Sequence, residues 1–375
     1  MKTSSWSRTI RLATLVLLSS LAFGSPAMAA EKRVLMLVSS NGTEARPELS
    51  YDLEELAQSY LVLNDNGVGL DIASPRGGAV LVKDNRDSLA YIRRFKALAD
   101  GQLENTIASA DVDLGRYDGI FIVGGSGAMI DLPSHGPTQR LLGEAAAGHQ
   151  VIAAVCHGPA AIADIRLPDG EYFVSGKRVT GFSNVEERAF SAERLDAFPF
   201  MLEDRLAANG ATFGHNAPML PHVAVDGRLI TAQNPGAVAK AAEAMVLALG
   251  LPLQERPPFA DERTLMLISQ ARQVGPVAID LALATPDHGI DMDYLALYGF
   301  YAYRLADEAD KPRELDLALV IGGHFSHPEF DAQLIANTFE QGREAQARTL
   351  YERFVERFPG HARTGELAAL LDRRE

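Results

Sequence analysis

Cys156, the only cysteine among 375 residues, is followed directly by His157, where the apolar run VIAAV (151–155) breaks into Gly158-Pro159 and then AAIA. A strand that ends in a thiol and turns sharply into a helix has the outline of a nucleophile elbow. The turn lifts the sulfur out of the sheet edge, and the N–H groups that open the next helix favour a thiolate there. Pro159 suits the first helical turn. A lone cysteine is otherwise most often an inert small hydrophobe; the strand, the imidazole and the Gly-Pro turn set this one apart. Gly124-Gly125-Ser126 also falls at a strand end, where backbone N–H groups can meet a substrate oxygen with no side chain in the way. The N–H groups of Gly124, Gly125 and His157 are therefore expected to form an oxyanion hole, with Ser126 beside it. His324 and His327, three apart and beside Asp331, invite a metal reading. Two histidines without a third clear ligand are instead expected at the surface or in a cap.

The elements that must position these groups follow from the apolar pattern. Residues 32–39 (KRVLMLVS), 68–73 and 117–123 (YDGIFIV) read as buried strands, as does the run before Cys156. Apolar residues at helical spacing over 51–64, about 139–147 and 237–249 predict helices. Strands that are nearly all apolar and alternate with helices predict an α/β fold, a flavodoxin-like parallel sheet sandwiched by helices. In such sheets ligands bind beyond the carboxyl ends of the strands, where the glycine turns and Cys156 lie. Residues 171–184 and 222–232 are β-rich with turn signals. Three prolines within 252–258 predict a linker over 252–260. Beyond it the pattern is helical, with helices expected at 261–274, 291–308, 312–323, 330–342 and 343–358. LYERFVERFP (350–359) is similar to the second helix of a tetratricopeptide unit, but no repeat of about 34 residues supports an array. The C-terminal extension, 261–375, is expected to be an ordinary helical bundle.

Composition narrows the partners. Lys2, Arg8 and Arg11 precede an apolar stretch over 12–23 and the small residues Ala27-Met28-Ala29, the layout of a signal peptide cut after Ala29. This predicts a secreted or periplasmic protein, with residues 30–251 as the α/β domain. No later segment reaches about 18 consecutive apolar residues, so no stable membrane span is expected. The formal net charge is −14, and removing residues 1–29 leaves the chain more acidic still, which excludes nucleic acid as a natural partner. One cysteine cannot form an internal disulfide in an exported compartment, so the thiol is kept for chemistry or for packing.

Five stretches in order, DIASPRGG (71–78), FIVGGSGAMIDLP (121–133), AAVCHGPAAI (153–162), VTGFSNVEE (179–187) and DGRLITAQNPG (226–236), make residues 32–250 resemble the PfpI/DJ-one superfamily. This superfamily lies within the class I glutamine amidotransferase-like fold, and the chain most resembles its chaperone/glyoxalase III branch. The resemblance implies a nucleophile at Cys156, its neighbour His157, and an acid that orients the imidazole, matched by Glu187 with Glu186 as the alternative. It also implies a carboxyl group beside the sulfur from the helix after the first strand. Glu55, twelve residues before Gly67, matches that position, with Glu54 as the alternative. Such a carboxyl group would be held protonated by burial and by the adjacent thiolate. The branch usually carries His where this chain has Ser126. Tyr51, Met129, Ser183 and Asn184 are expected as pocket walls.

The activity implied by the resemblance is a glutathione-independent glyoxalase that turns a 2-oxoaldehyde into a 2-hydroxy acid, or a related deglycase, with no metal or organic cofactor. The partner is then a small aldehyde or glycated substrate, and a homodimer is a candidate assembly. Two alternatives stand beside it: a stress-related holding chaperone or interaction protein, and a Cys-dependent amide hydrolase. No synthetase domain accompanies the fold, which speaks against true glutamine amidotransfer.

Overall fold

The computed structural model describes residues 1, 31–82, 84 and 86–372; the expected signal peptide lies outside the described residues. Its framework is a seven-stranded sheet. In chain order the elements are β1 (Arg33–Leu37), α1 (Leu53–Asp65), β2 (Gly69–Ser74), α2 (Ala90–Glu104), β3 (Ile107–Ala108), β4 (Gly119–Ile122), α3 (Gly136–Ala147), β5 (Val151–Val155) and the single turn α4 (Ala160–Ala163). There follow β6 (Arg178–Val179), α5 (Asn184–Phe190), α6 (Leu202–Ala208), β7 (Thr212–Phe213), β8 (Val223–Asp226), β9 (Leu229–Ala232) and α7 (Val238–Ala248). The order across the sheet is β3-β2-β1-β4-β5-β9-β8, parallel throughout except for the β8–β9 hairpin. Strands β6 and β7 form a separate parallel pair.

Alternation along the central strands divides the interior into two layers. Val34 and Met36 of β1, and Val151, Ala153 and Val155 of β5, pack with α1, α2 and α7 on one face. Leu35 and Leu37, and Ile152, Ala154 and Cys156, pack with α3, α4 and α6 on the other. The same two-residue period that buries Val155 thus turns Cys156 toward the opposite layer, at the carboxyl end of the sheet.

The chain beyond 260 is helical: α8 (Ala260–Val274), α9 (Val277–Leu283), α10 (Met292–Leu305), α11 (Lys311–Ile321), α12 (Pro328–Glu340), α13 (Glu344–Arg357) and α14 (Arg363–Leu371). Five of these lie within a few residues of the sequence expectation, and α9 and α14 are additional. Residues 251–259 carry no helix or strand, yet they are pinned. Arg256 pairs with Glu243 of α7 at 2.8 Å and Glu262 of α8 at 2.7 Å, and the Gln254 N–H donates to Asn66 Oδ1 at 2.7 Å. The described residues from 32 onward form one compact unit, with Met219 and Leu220 of the α/β part buried in the core of the helical part. No helix among the described residues is long and apolar enough to cross a membrane.

Candidate active site

Cys156 leaves β5 with φ at +56°, in the left-handed region that side-chain-bearing residues rarely adopt. Holding it there costs about 1–3 kcal/mol. The neighbours fix the geometry: the Cys156 N–H donates to Ala232 O at 2.9 Å, and Cys156 O accepts from the Phe182 N–H at 2.9 Å. The result is the expected elbow. Cys156 is only 4% exposed but lines a cavity of about 300 Å³ together with His157, Gly125, Ser126, Tyr51 and Phe190. A larger cavity, of about 670 Å³ along α8, contains none of the predicted site residues.

His157 connects the sulfur to an acid. Its Nδ1 lies 3.4 Å from Cys156 Sγ, and its Nε2 lies 3.1 Å from both Glu187 oxygens. Glu187 sits in the first turn of α5 and is buried. Burial pushes its carboxyl up, but the His157 charge and hydrogen bond, with help from Ser191 and Arg194, outweigh this and leave it below the ordinary range. An ionised Glu187 can only accept, so Nε2 carries a proton and Nδ1 is free to accept one from the thiol. The ring is packed by Phe182 and Phe198, with centroids 4.7 and 5.8 Å away.

The alternatives for the acid separate cleanly. Glu186 faces away from His157 and closes a capping box with Ser183. It also accepts from the Met219 N–H, Gln233 Nε2 and Asn234 Nδ2, each at 2.9 Å. Its role is to tie α5 to the segments around 219 and 233. Glu54 likewise points elsewhere, accepting from the Tyr91 hydroxyl at 2.6 Å and pairing with Arg86 at 2.9 Å.

Glu55 also reaches the sulfur. It lies in the first turn of α1, which Asp52 caps by accepting the Glu55 N–H at 3.0 Å. Its Oε2 accepts the Gly124 N–H at 2.8 Å, its Oε1 is buried without a polar donor, and the carboxyl is within hydrogen-bonding reach of Cys156. A Cβ on Gly124 would stand 2.6 Å from Glu55 Oε2 and 2.7 Å from Cys156 Cβ, so this approach needs glycine.

Two expectations are corrected here. The Gly124 N–H is taken by Glu55 and is not available to a substrate oxygen, whereas the Gly125 N–H faces the sulfur. Nor is the thiol lowered. Burial first, then the charges of Glu55 and Asp52, push Cys156 well above its ordinary value, against the single favourable Gly125 N–H. The helix expected to stabilise a thiolate is only the four-residue α4, too short to offset two carboxyl groups. The same burial, together with Asp52, holds Glu55 well above the usual carboxylate range. Both groups therefore hold their protons to higher pH than an ordinary thiol and carboxyl group.

Of the expected pocket walls, Tyr51 lines the cavity. Met129 is instead buried in the core, Ser183 caps α5, and the Asn184 side chain donates to Asp204 at 2.8 Å. Asp52 and Arg194 are lining residues that the sequence pattern did not single out. Asp52 had a signal, as an N-cap type just before LEEL; Arg194 lies in a short 3-10 helix, 192–197, with no periodic pattern. His324 Nε2 bonds Asp280 at 2.7 Å and Asp331 pairs with Arg357 at 3.1 Å. Among the described residues no group of three or more His, Cys, Asp or Glu is arranged to hold a metal ion.

The chain belongs to the DJ-1/PfpI family, whose model matches residues 32–248. It is 29% identical over 236 residues, 58% of this chain and 96% of the relative, to the glutathione-independent glyoxalase hsp3101 of Schizosaccharomyces pombe. It is 30% identical over 201 residues, 52% of this chain and 88% of the relative, to the glutamine amidotransferase-like class 1 domain-containing protein 1 of Bos taurus. Among solved structures it resembles the Rapid Encystment Protein 24 KDa of Francisella tularensis, with a TM-score of 0.54 and 31% identity over 58% of this chain and 99% of that one. The family match ends before α8, so the helical extension lies outside it.

Proposed function

We propose that the protein is a glutathione-independent glyoxalase converting a 2-oxoaldehyde and water into a 2-hydroxy acid. The observation that carries the reading is one cavity-lining sulfur within reach of two proton carriers, the His157–Glu187 pair and Glu55. The name of the fission-yeast relative points the same way.

The chemistry follows from the protonation states. Cys156 passes its proton to His157 Nδ1 as the sulfur bonds to the aldehyde carbon, and the imidazolium formed is stabilised by Glu187. The carbonyl π electrons move to oxygen, where the Gly125 and His157 N–H groups receive the charge, and the Glu55 carboxyl gives that oxygen its proton, leaving a hemithioacetal and a Glu55 carboxylate. Removal of the C1 hydrogen as a proton by Glu55 or His157, and its return at C2, leaves C1 oxidised to a thioester and C2 reduced to an alcohol. Water then cleaves the thioester, releasing the hydroxy acid and restoring the thiol. The raised Glu55 suits this step, because a carboxyl group that titrates nearer neutrality is both a stronger base and a competent acid.

The test is methylglyoxal consumption without glutathione, with product identified as lactate, in wild type and Cys156→Ala. Equal rates in the two proteins overturn the proposal. Ammonia or amine release from an amide, with no turnover of 2-oxoaldehydes, supports the hydrolase alternative that the same side chains can serve.

A further inference from the structure

The cavity beside Cys156, about 300 Å³, offers more room than a three-carbon dicarbonyl fills, and its lining carries both signs of charge. The carboxylates there are already matched. Glu54 pairs with Arg86 at 2.9 Å, Asp84 lies 3.9 Å from the same guanidinium, and Glu48 pairs with Arg46. Asp52 caps α1, and its burial holds it above the ordinary range.

Arg194 is the exception. Its Nη2 donates to Phe190 O at 2.6 Å and Ser191 Oγ at 3.4 Å, while its Nε is buried without an acceptor. Among the described residues no carboxylate stands within ion-pair distance of it. The guanidinium as a whole is only part-buried in the cavity lining, and among the described residues its Nη1 has no acceptor, so a ligand oxygen can meet it there. A planar guanidinium with donors to spare is suited to a carboxylate or phosphate above other groups. Its position also has a bearing on the reaction: Ser191, which Arg194 bonds, also supports Glu187, the acid that holds His157.

We infer that Arg194 is a specificity residue that holds an anionic group at the far end of the substrate, making the preferred substrate a 2-oxoaldehyde with a terminal carboxylate. The reacting end of this assignment rests on the glyoxalase reading; the anion subsite does not. The guanidinium aligns the chain of the substrate so that its aldehyde carbon meets Cys156 Sγ, which converts remote binding into orientation at the reacting centre.

The experiment compares the full-length wild type with Arg194→Met and Arg194→Lys on two substrates, 4,5-dioxopentanoate and methylglyoxal. A separate arm measures binding of unreactive levulinate by calorimetry. The expected result is a wild-type kcat/KM favouring the anionic substrate, a preference that Arg194→Met lowers about tenfold or more, mainly through KM, and that Arg194→Lys partly restores. Equal losses on both substrates, or no wild-type preference, overturn the assignment. Levulinate binding lost in Arg194→Met, with neither aldehyde turned over by the wild type, retains the anion subsite and overturns the glyoxalase reading. Methylglyoxal turnover without levulinate binding does the reverse.

Discussion

His157 Nε2 stands at the same distance, 3.1 Å, from both carboxylate oxygens of Glu187, so the acid holds the ring symmetrically and leaves Nδ1 aimed at the Cys156 sulfur. Replacing one oxygen by an amide sets a donor against the ring proton and favours the wrong tautomer. Glu187→Gln is expected to lower kcat on methylglyoxal by about 10²- to 10⁴-fold. Steady-state kinetics beside a thermal melt checks this; a loss under twofold would remove Glu187 from the reaction.

Its neighbour should behave in the opposite way. Glu186→Ala strands the buried Met219 N–H and takes one acceptor from each of the Gln233 and Asn234 amides, which keep only Asn216 O and Leu220 O. The expected outcome is a stability loss of about 3 kcal/mol or more, read by urea unfolding. Glu187→Gln should melt much closer to the wild type.

Much of this division was beyond the sequence, and the reasons are physical. Cys156 and its turn were legible because an all-apolar strand running into His-Gly-Pro has few structural solutions. The nearly unbroken apolar runs of β1 and β5 likewise implied a sheet covered on both faces, as found. Which of Glu186 and Glu187 meets the imidazole depends on the rotation of α5 about its axis, which the pattern of seven residues does not fix. Helix α2 presents only a narrow apolar stripe, Ile92, Phe95 and Ala99, and α9 and α14 are short, so periodicity was a weak guide to them. The fate of the Gly124 N–H was set by how closely α1 approaches the strand end, a distance that no local pattern encodes.

Glu55 makes stability depend on pH with a definite sign. Its folded-state carboxyl titrates well above the ordinary 4.5, so the folded chain holds a proton that the unfolded chain releases. Its contribution is fully present below 4.5 and is lost as the pH rises toward the raised value. Glu55→Gln abolishes that decline. Melting temperatures across acid to neutral pH are expected to show the variant gaining on the wild type as pH rises, while its turnover falls about a hundredfold. A constant gap between the two melting curves would contradict the raised carboxyl.

The thiol offers a second titration. Burial and the charges of Glu55 and Asp52 keep Cys156 protonated beyond its ordinary value of 9.0. Alkylation by iodoacetamide is expected to keep accelerating above that pH in the wild type, and to begin at lower pH in Glu55→Gln. A plateau near neutrality in the wild type would show an ionised sulfur in the resting protein.

Gly124→Ala drives a methyl group against Glu55 Oε2 and Cys156 Cβ. Overpacking of this kind costs about 1–3 kcal/mol. Activity is expected to fall more steeply than stability, because the displaced groups are the reacting ones; unchanged kinetics with a normal melt would argue against the tight approach.

Phe190 has one side against Phe182, at 6.4 Å between ring centroids, and the other against Tyr301 of α10, at 4.9 Å, while its ring also borders the reaction cavity. The chamber's shape is thus inherited from both halves of the chain. Change in the helical half can reshape what enters without altering any residue that performs the chemistry, which gives evolution a separate handle on selectivity.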